Sequence, residues 1–182
     1  MTNEKIKENY IKFTELLRTN IEMAVNAYIK PEYQKITSVQ MNAVIKTYFP
    51  NITIGLYDMK YQVTKWQTWL DIMDFDWTER KKYIGDTFDC DNFSGSFCAR
   101  ASEFFNLNTA GRFTCTVTTA TGEVTQHRAV LIIALDENDQ LAAYVMESQN
   151  DKWVKVVKGQ EIVIPNNYQQ AWKYVGGLTE FN

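Results

Sequence analysis

The stretch Phe88-Asp89-Cys90-Asp91-Asn92-Phe93-Ser94-Gly95-Ser96-Phe97 decides how the rest of the chain is read. Asp89 is a good N-cap residue, Asp91 and Asn92 fill a first helical turn, and Phe93, Phe97, Ala101 and Phe104 recur at helical spacing. Cys90 therefore opens a helix, on its apolar stripe, with the sulfur at the positive end of the macrodipole. Unpaired N–H groups there favour a thiolate, the form that attacks carbonyls. The flanking aspartates oppose it, because nearby negative charge raises a thiol's pKa. The conflict calls for a compensator, a cation or a histidinium, from elsewhere in the chain.

Before this stretch the sequence reads as helical. Ile6, Tyr10, Phe13, Leu17, Ile21, Ala24 and Tyr28 share one face of a helix that Pro31 stops, and this stripe is expected to pack on the protein's own core. Thr37-Ser38 caps a second helix that Pro50 ends. Ile52-Thr53-Ile54 suits a short strand or an extended linker. Val63, Trp66, Trp69, Leu70 and Met73 suggest a third helix, followed by a solvated acidic segment with Asp74, Asp76 and Glu79. After the Cys90 helix the period changes to two. Arg112–Thr119, Val124–Leu135 and Leu141–Ser148 read as strands, Trp153–Val157 and Ile162–Ile164 as further ones, and Ala171–Val175 as a last one before Gly176-Gly177. Helices first and an antiparallel sheet second argue an α+β fold, with the helices packed on one side or end of the sheet.

With 182 residues, 45% of them apolar and 14% aromatic, the chain can bury one substantial core, so a single domain is expected. A net charge of −3 speaks against general nucleic-acid binding. No apolar run approaches the roughly 18 residues of a membrane span, so no membrane partner is expected. Met1-Thr2-Asn3-Glu4-Lys5 has no signal-peptide core, which fits synthesis in a cytoplasm. Three widely spaced cysteines make no disulfide framework, and one histidine makes a zinc site a poor fit. Cys98 and Cys115 read as small buried hydrophobes. Cys90 differs from both by its charged neighbours and its place at a helix start.

The single histidine supplies the compensator. His127 opens the most apolar strand and shares a face with Ala129, Leu131 and Ile133. Glu147 shares a face with Val145, Ala143 and Leu141 on the next strand. Both lie equally far from Glu137 in the connecting loop, so antiparallel pairing brings them nearly opposite each other. A buried carboxylate facing a buried imidazole is the orienting pair that a catalytic base needs. Taken alone, the pair could also be a His and a Glu exposed at the rim of the sheet.

A helix-start cysteine, a strand histidine and a carboxylate on the adjacent strand follow the chain order of papain-like and transglutaminase-like enzymes. Asp89-Cys90-Asp91-Asn92-Phe93 resembles the D-C-[DE]-[DN]-[FY] motif of two branches. These are the bacterial transglutaminase-like cysteine proteinases and the papain-like C-terminal domain of mushroom agglutinins, with its phage and bacterial relatives. Gln126-His127-Arg128-Ala129-Val130-Leu131 looks like their H-A-V strand, and Met146-Glu147-Ser148-Gln149 is similar to an E-P-Q element. The likeness covers roughly Tyr83 to Gln149. It implies a papain-like domain over residues 1–182, with a helical extension at 1–50 packed on a catalytic core at 83–175. It further implies a cysteine peptidase acting on a peptide or protein, with Cys90 as nucleophile, His127 as general base and acid, and Glu147 holding the imidazole. In both branches acids flanking the cysteine take part in calcium binding, which makes Asp89 and Asp91 metal candidates, with Asp86 as a further oxygen donor. A phage or virion association would follow from the same relatives.

Two other classes stay open. A peptidoglycan hydrolase of the same superfamily would carry D-C-S-G, where this chain has Asp91 and Asn92. A non-catalytic binding or virion protein would keep the fold and use an aromatic surface around Trp66, Trp69 and Trp77.

Overall fold

Asn3–Tyr28 (α1) forms the helix that its period predicts, but its apolar stripe is not buried: Tyr10 is 67% exposed, Phe13 63% and Leu17 48%. The computed structural model describes residues 3–29, 31–119, 121–165 and 171–181. It divides the chain into two compact units, Met1–Pro31 and Glu32–Asn182, so the boundary falls at Pro31 and the second helix belongs with the sheet.

The second unit begins with Tyr33–Thr37 (β1), which pairs antiparallel with Lys60–Thr64 (β3) as a two-stranded sheet. Between them Ser38–Tyr48 (α2) starts on a capping box. The Gln40 backbone N–H donates to Thr37 Oγ1 (3.2 Å), and the Thr37 N–H donates to Gln40 Oε1 (2.9 Å). Thr53–Leu56 (β2) is the short strand expected from Ile52-Thr53-Ile54. Trp66–Phe75 (α3) follows β3 after the single residue Lys65, so Val63 belongs to the strand and not to the third helix.

The large sheet contains Ala110–Thr118 (β4), Val124–Leu135 (β5), Leu141–Glu147 (β6), Lys152–Lys155 (β7), Ile162–Pro165 (β8) and Ala171–Phe181 (β9). Its order is β2-β9-β4-β5-β6-β7, with β8 on β9. Neighbours pair antiparallel except β2 and β9, which run parallel. The fold is therefore α+β with a mixed sheet, not a purely antiparallel one. β9 runs straight through Gly176-Gly177, where a stop was expected. Thr114 pairs with Leu178 but Cys115 pairs with Gly176, so Gly177 is the extra residue of a bulge. A glycine pair inside a strand marks a bend more often than an end.

Period-two alternation sorts β4–β6 into two faces. Phe113, Val117, Leu131, Ile133 and Val145 pack with Met41 and Ile45 of α2 and with Tyr61 and Val63 of β3. On the other face Trp66 of α3 stacks on Tyr144 at 3.7 Å. Cys90–Phe105 (α4) packs against β4 and β5.

Strands β4 and β9 leave no room for a side chain at Gly111. A Cβ built there would lie 2.6 Å from the Glu180 carbonyl oxygen and 2.7 Å from the ring of Phe181, which is fully buried. Neither neighbour is a flexible side-chain end. Gly111→Ala is expected to cost about 3 kcal/mol, the upper range for overpacking a core. Urea unfolding of the variant against wild type measures it, and an unchanged midpoint would contradict the packing of β4 on β9.

Candidate functional site

α4 starts at Cys90, as its sequence predicts. Asn92 Oδ1 accepts from the Asp89 backbone N–H (3.2 Å) and closes the first turn. Phe93, Phe97, Ala101 and Phe105 are the buried stripe, and Phe93 meets Phe88 edge-on at 4.8 Å. This anchoring fixes the helix start and leaves the Cys90 side chain partly exposed at its edge.

His127 and Glu147 are both buried and joined: His127 Nε2 and Glu147 Oε2 are 2.5 Å apart. The β5–β6 ladder runs from Leu135–Leu141 to Val130–Met146, so the hairpin is centred at Asn138, one residue beyond Glu137. Continuing that register sets Glu147 across from Ala129. It then reaches His127 as a diagonal neighbour on the same face, a distance that long side chains span. The rim-exposed alternative does not apply.

With Nε2 committed to Glu147, Nδ1 is the free ring nitrogen in reach of a second partner, and Cys90 is the neighbour that raises the imidazole's pKa along with Glu147. Burial alone would lower the pKa of His127. The Cys90 hydrogen bond and then the Glu147 hydrogen bond and charge outweigh it, and His127 is pushed up to about 9. At neutral pH the imidazole carries its second proton between two acceptors.

Tyr174 is a member of the site that sequence reasoning missed. Its hydroxyl donates to Glu147 Oε2 (3.3 Å), and its ring lies 5.9 Å from the imidazole, edge-on. Burial, then the Glu147 charge, raises its pKa and keeps it a donor. The Gln149 backbone N–H donates to Glu147 Oε1 (3.3 Å). Both oxygens of the carboxylate are thus held. No local motif surrounds Tyr174, since only strand pairing brings β9 to this place. Tyr174 also lines an open cavity of roughly 580 Å³, together with Phe49, Ile52, Val156, Gln160 and Ile162.

Arg128, one residue past His127, faces the helix start. Its Nε donates to Thr114 Oγ1 (3.2 Å) and its Nη1 to Asp91 Oδ2 (3.4 Å). Asp89 and Asp91 meet each other: their shared hydrogen bond raises the pKa of Asp89 and lowers that of Asp91, which Arg128 lowers further. The Arg128 guanidinium therefore stands against the Asp91 charge beside Cys90. Asp86 sits in the turn before them, at φ 59°. The calcium reading has two carboxylates to work with, and among the described residues no group of three His, Cys, Asp or Glu could hold a metal. Calcium takes 6–8 oxygens. These side chains do not fit it unless backbone and water supply most of the shell.

The acidic segment is not a solvated loop. Asp76 is buried and accepts from Arg100 Nη1 (2.7 Å) and from the Thr78 N–H (3.0 Å), while the Arg100 guanidinium lies 4.5 Å over the Trp77 ring. Nor is there a three-tryptophan surface, because Trp69 is fully buried and Trp66 nearly so.

No protein-family model matches the chain, and no curated protein matches it. Solved structures do. The PSL1a–E64 complex matches with a TM-score of 0.57 at 15% identity, over 81% of this chain and 51% of that one. Polyporus squamosus lectin, bound to the human-type influenza-binding epitope Neu5Acα2-6Galβ1-4GlcNAc, gives 0.55 at 14% identity, over 81% and 49%. The chain thus spans about half the length of these solved structures. At such identities the likeness is one of fold. It corrects the family reading drawn from the cysteine motif. The structures sharing this fold carry the name of a lectin, and no model of a papain-like or transglutaminase-like cysteine proteinase family is matched. The peptidase assignment is withdrawn with it, as is its peptide or protein substrate.

Proposed function

We propose that this chain is a ligand-binding module whose site holds a nucleophilic thiol. The observation that carries the reading is the buried His127 imidazole held by Glu147, with Cys90 as the neighbour that raises its pKa. His127 holds the proton, Glu147 sets the ring, and Tyr174 and the Gln149 N–H set Glu147. A ligand presenting an electrophilic carbon to Cys90 would be captured on sulfur. With a carbonyl ligand, the sulfur adds to the carbonyl carbon and the start of α4 favours the oxyanion that forms. His127 then gives its proton to the departing group, and the acyl group stays on Cys90 until an acceptor takes it. The enzymatic form of the proposal is thus acyl transfer. No step is routed through a metal.

E64 is an epoxysuccinyl compound whose ring thiolates open, which makes it a direct probe of such a centre. Incubation with E64 at neutral pH should add one equivalent, mapped to Cys90 by peptide mass, and Cys90→Ser should abolish the adduct. An unmodified Cys90 under conditions that label a free thiol would refute the proposal.

A second reading is binding of glycans without chemistry, favoured by the trisaccharide in one neighbour's description. Calorimetry with Neu5Acα2-6Galβ1-4GlcNAc separates the two. Saturable binding that Cys90→Ser leaves intact, with no E64 adduct, would select the glycan reading.

A further inference from the structure

The turn between β6 and β7 is tied to Glu147 twice, through its backbone and through its side chain. β6 ends at Glu147 and β7 begins at Lys152, so residues 148–151 make the connection. The Asn150 N–H donates to the Glu147 carbonyl oxygen (3.1 Å), and the Gln149 N–H donates to Glu147 Oε1 (3.3 Å). The Lys152 N–H donates to Asn150 Oδ1 (2.9 Å), and Asp151 takes the left-handed conformation, φ 54°, that leads into the strand. β7 is an edge strand, and Glu147–Lys152 is its terminal pair. The turn can therefore open without breaking the centre of the sheet.

Asp151 is poorly placed to carry a charge. Its Oδ1 is buried without a hydrogen-bond partner, and so is Glu79 Oε2 in the single turn Thr78–Arg80. The charges that act on Asp151 are Glu79, then Asp76 and Asp74 of the segment after α3, all of its own sign. The cations of this region are engaged elsewhere. Arg100 Nη1 pairs with Asp76 Oδ1 (2.7 Å), Arg80 Nε with the other oxygen of Glu79 (3.1 Å), and Lys81 Nζ lies 4.7 Å over the Phe88 ring. Lys152, beside Asp151 in the chain, is exposed. Burial first, and then the three carboxylates, push Asp151 up to about 7. An unfolded aspartate gives up its proton at about 3.9. The native chain binds the extra proton between these two values, so its stability falls as pH rises across them. Moving Asp151 out to water relieves both the burial and the repulsion, and that movement takes the turn with it.

We propose that the β6–β7 turn is a pH-sensitive latch on Glu147. With Asp151 protonated the turn is closed, and the Gln149 and Asn150 N–H groups hold Glu147. With Asp151 ionised against Glu79, Asp76 and Asp74 the turn opens and both donors are withdrawn. As regulation of the thiol centre the latch rests on the function proposed for Cys90, but its movement is read on the turn itself. The test is amide hydrogen exchange of the full chain by NMR at pH 6 and pH 8, corrected for the intrinsic rate. In wild type, protection of the Gln149 and Asn150 amides should fall by about tenfold or more between the two pH values, and by more than at the centre of β5. Asp151→Asn cannot ionise and should keep the pH 6 protection at pH 8. The Asp151 carboxyl carbon resonance should titrate near 7 in wild type and lower in Glu79→Gln, which removes the largest like charge. Protection that is the same at both pH values in wild type would overturn the proposal. So would a loss that Asp151→Asn retains, or one no greater at the turn than in β5. Exchange that follows the latch while Cys90 stays unlabelled by E64 would support the latch and remove the thiol centre it serves.

Discussion

Alkylation by iodoacetamide near pH 6 should reach Cys90 at least about a hundredfold faster than Cys98 or Cys115. Burial pushes Cys98 up to about 12 and raises Cys115 as well, so both stay protonated thiols, and Cys115 is also out of reach. Cys90 is partly exposed and neighbours an imidazole whose pKa is pushed up to about 9, so the ring is a cation near pH 6. Removing the ring removes the cation beside the sulfur. His127→Ala should slow labelling of Cys90 by about 10²-fold, the lower end for positioned acid–base groups. His127 is the only histidine, so its NMR titration is unambiguous, and its midpoint should lie near 9 instead of 6.5. Equal rates at the three cysteines, or a midpoint below 7, would dissolve the proposed centre.

The second large effect belongs to Glu147. It is buried, and it accepts from His127, Tyr174 and the Gln149 N–H. Glu147→Ala leaves a buried imidazolium with only the Cys90 sulfur against it, and should cost about 3 kcal/mol at pH 5.5. The sign of the pH dependence follows from His127. Its folded pKa is raised, so its stabilising contribution is complete below about 6.5 and fades as pH rises through about 9. Taking Glu147 away removes part of what raised that pKa. The gap between variant and wild type should therefore shrink at pH 9.5, towards the 1–2 kcal/mol order of lost neutral hydrogen bonds. Tyr174→Phe removes one donor and should cost about 1 kcal/mol. Denaturant melts at the two pH values measure all three quantities. A gap that does not change with pH would mean that the pair is neutral.

Much of this site is readable from the chain. Asp89 announces the start of α4, and Val124–Leu135 has the strand bounds that its alternation predicts. Hairpin symmetry brings His127 to Glu147 even though the centre falls at Asn138, because a shift of the centre by one residue moves the pairing by two and keeps both side chains on the same face. What cannot be read is what non-local pairing decides. Tyr174 arrives only through β9. β1 hides because a single residue of its five, Ile36, is buried. β3 hides because Val63 falls in helical register with Trp66 and Trp69, and only Lys65 separates strand from helix. The stripe of α1 says that a face wants burial without saying by what. The cysteine motif has the same limit. Five residues record what a thiol at a helix start needs around it, and they do not carry a family.

The path of β9 has a consequence in time. β9 pairs with β2, β4 and β8, and its Glu180 meets Arg112, which lies 68 residues earlier. Pairings of such separation close slowly, on the order of milliseconds to seconds in small domains, because loop entropy is lost before contacts repay it. The β5–β6 hairpin is local and can form first. Cys90, His127 and Glu147 can therefore come near each other early, while Glu147 is not held by Tyr174 until β9 docks. In a refolding experiment, the thiol's full reactivity should appear with the slowest phase, after most of the secondary structure has returned.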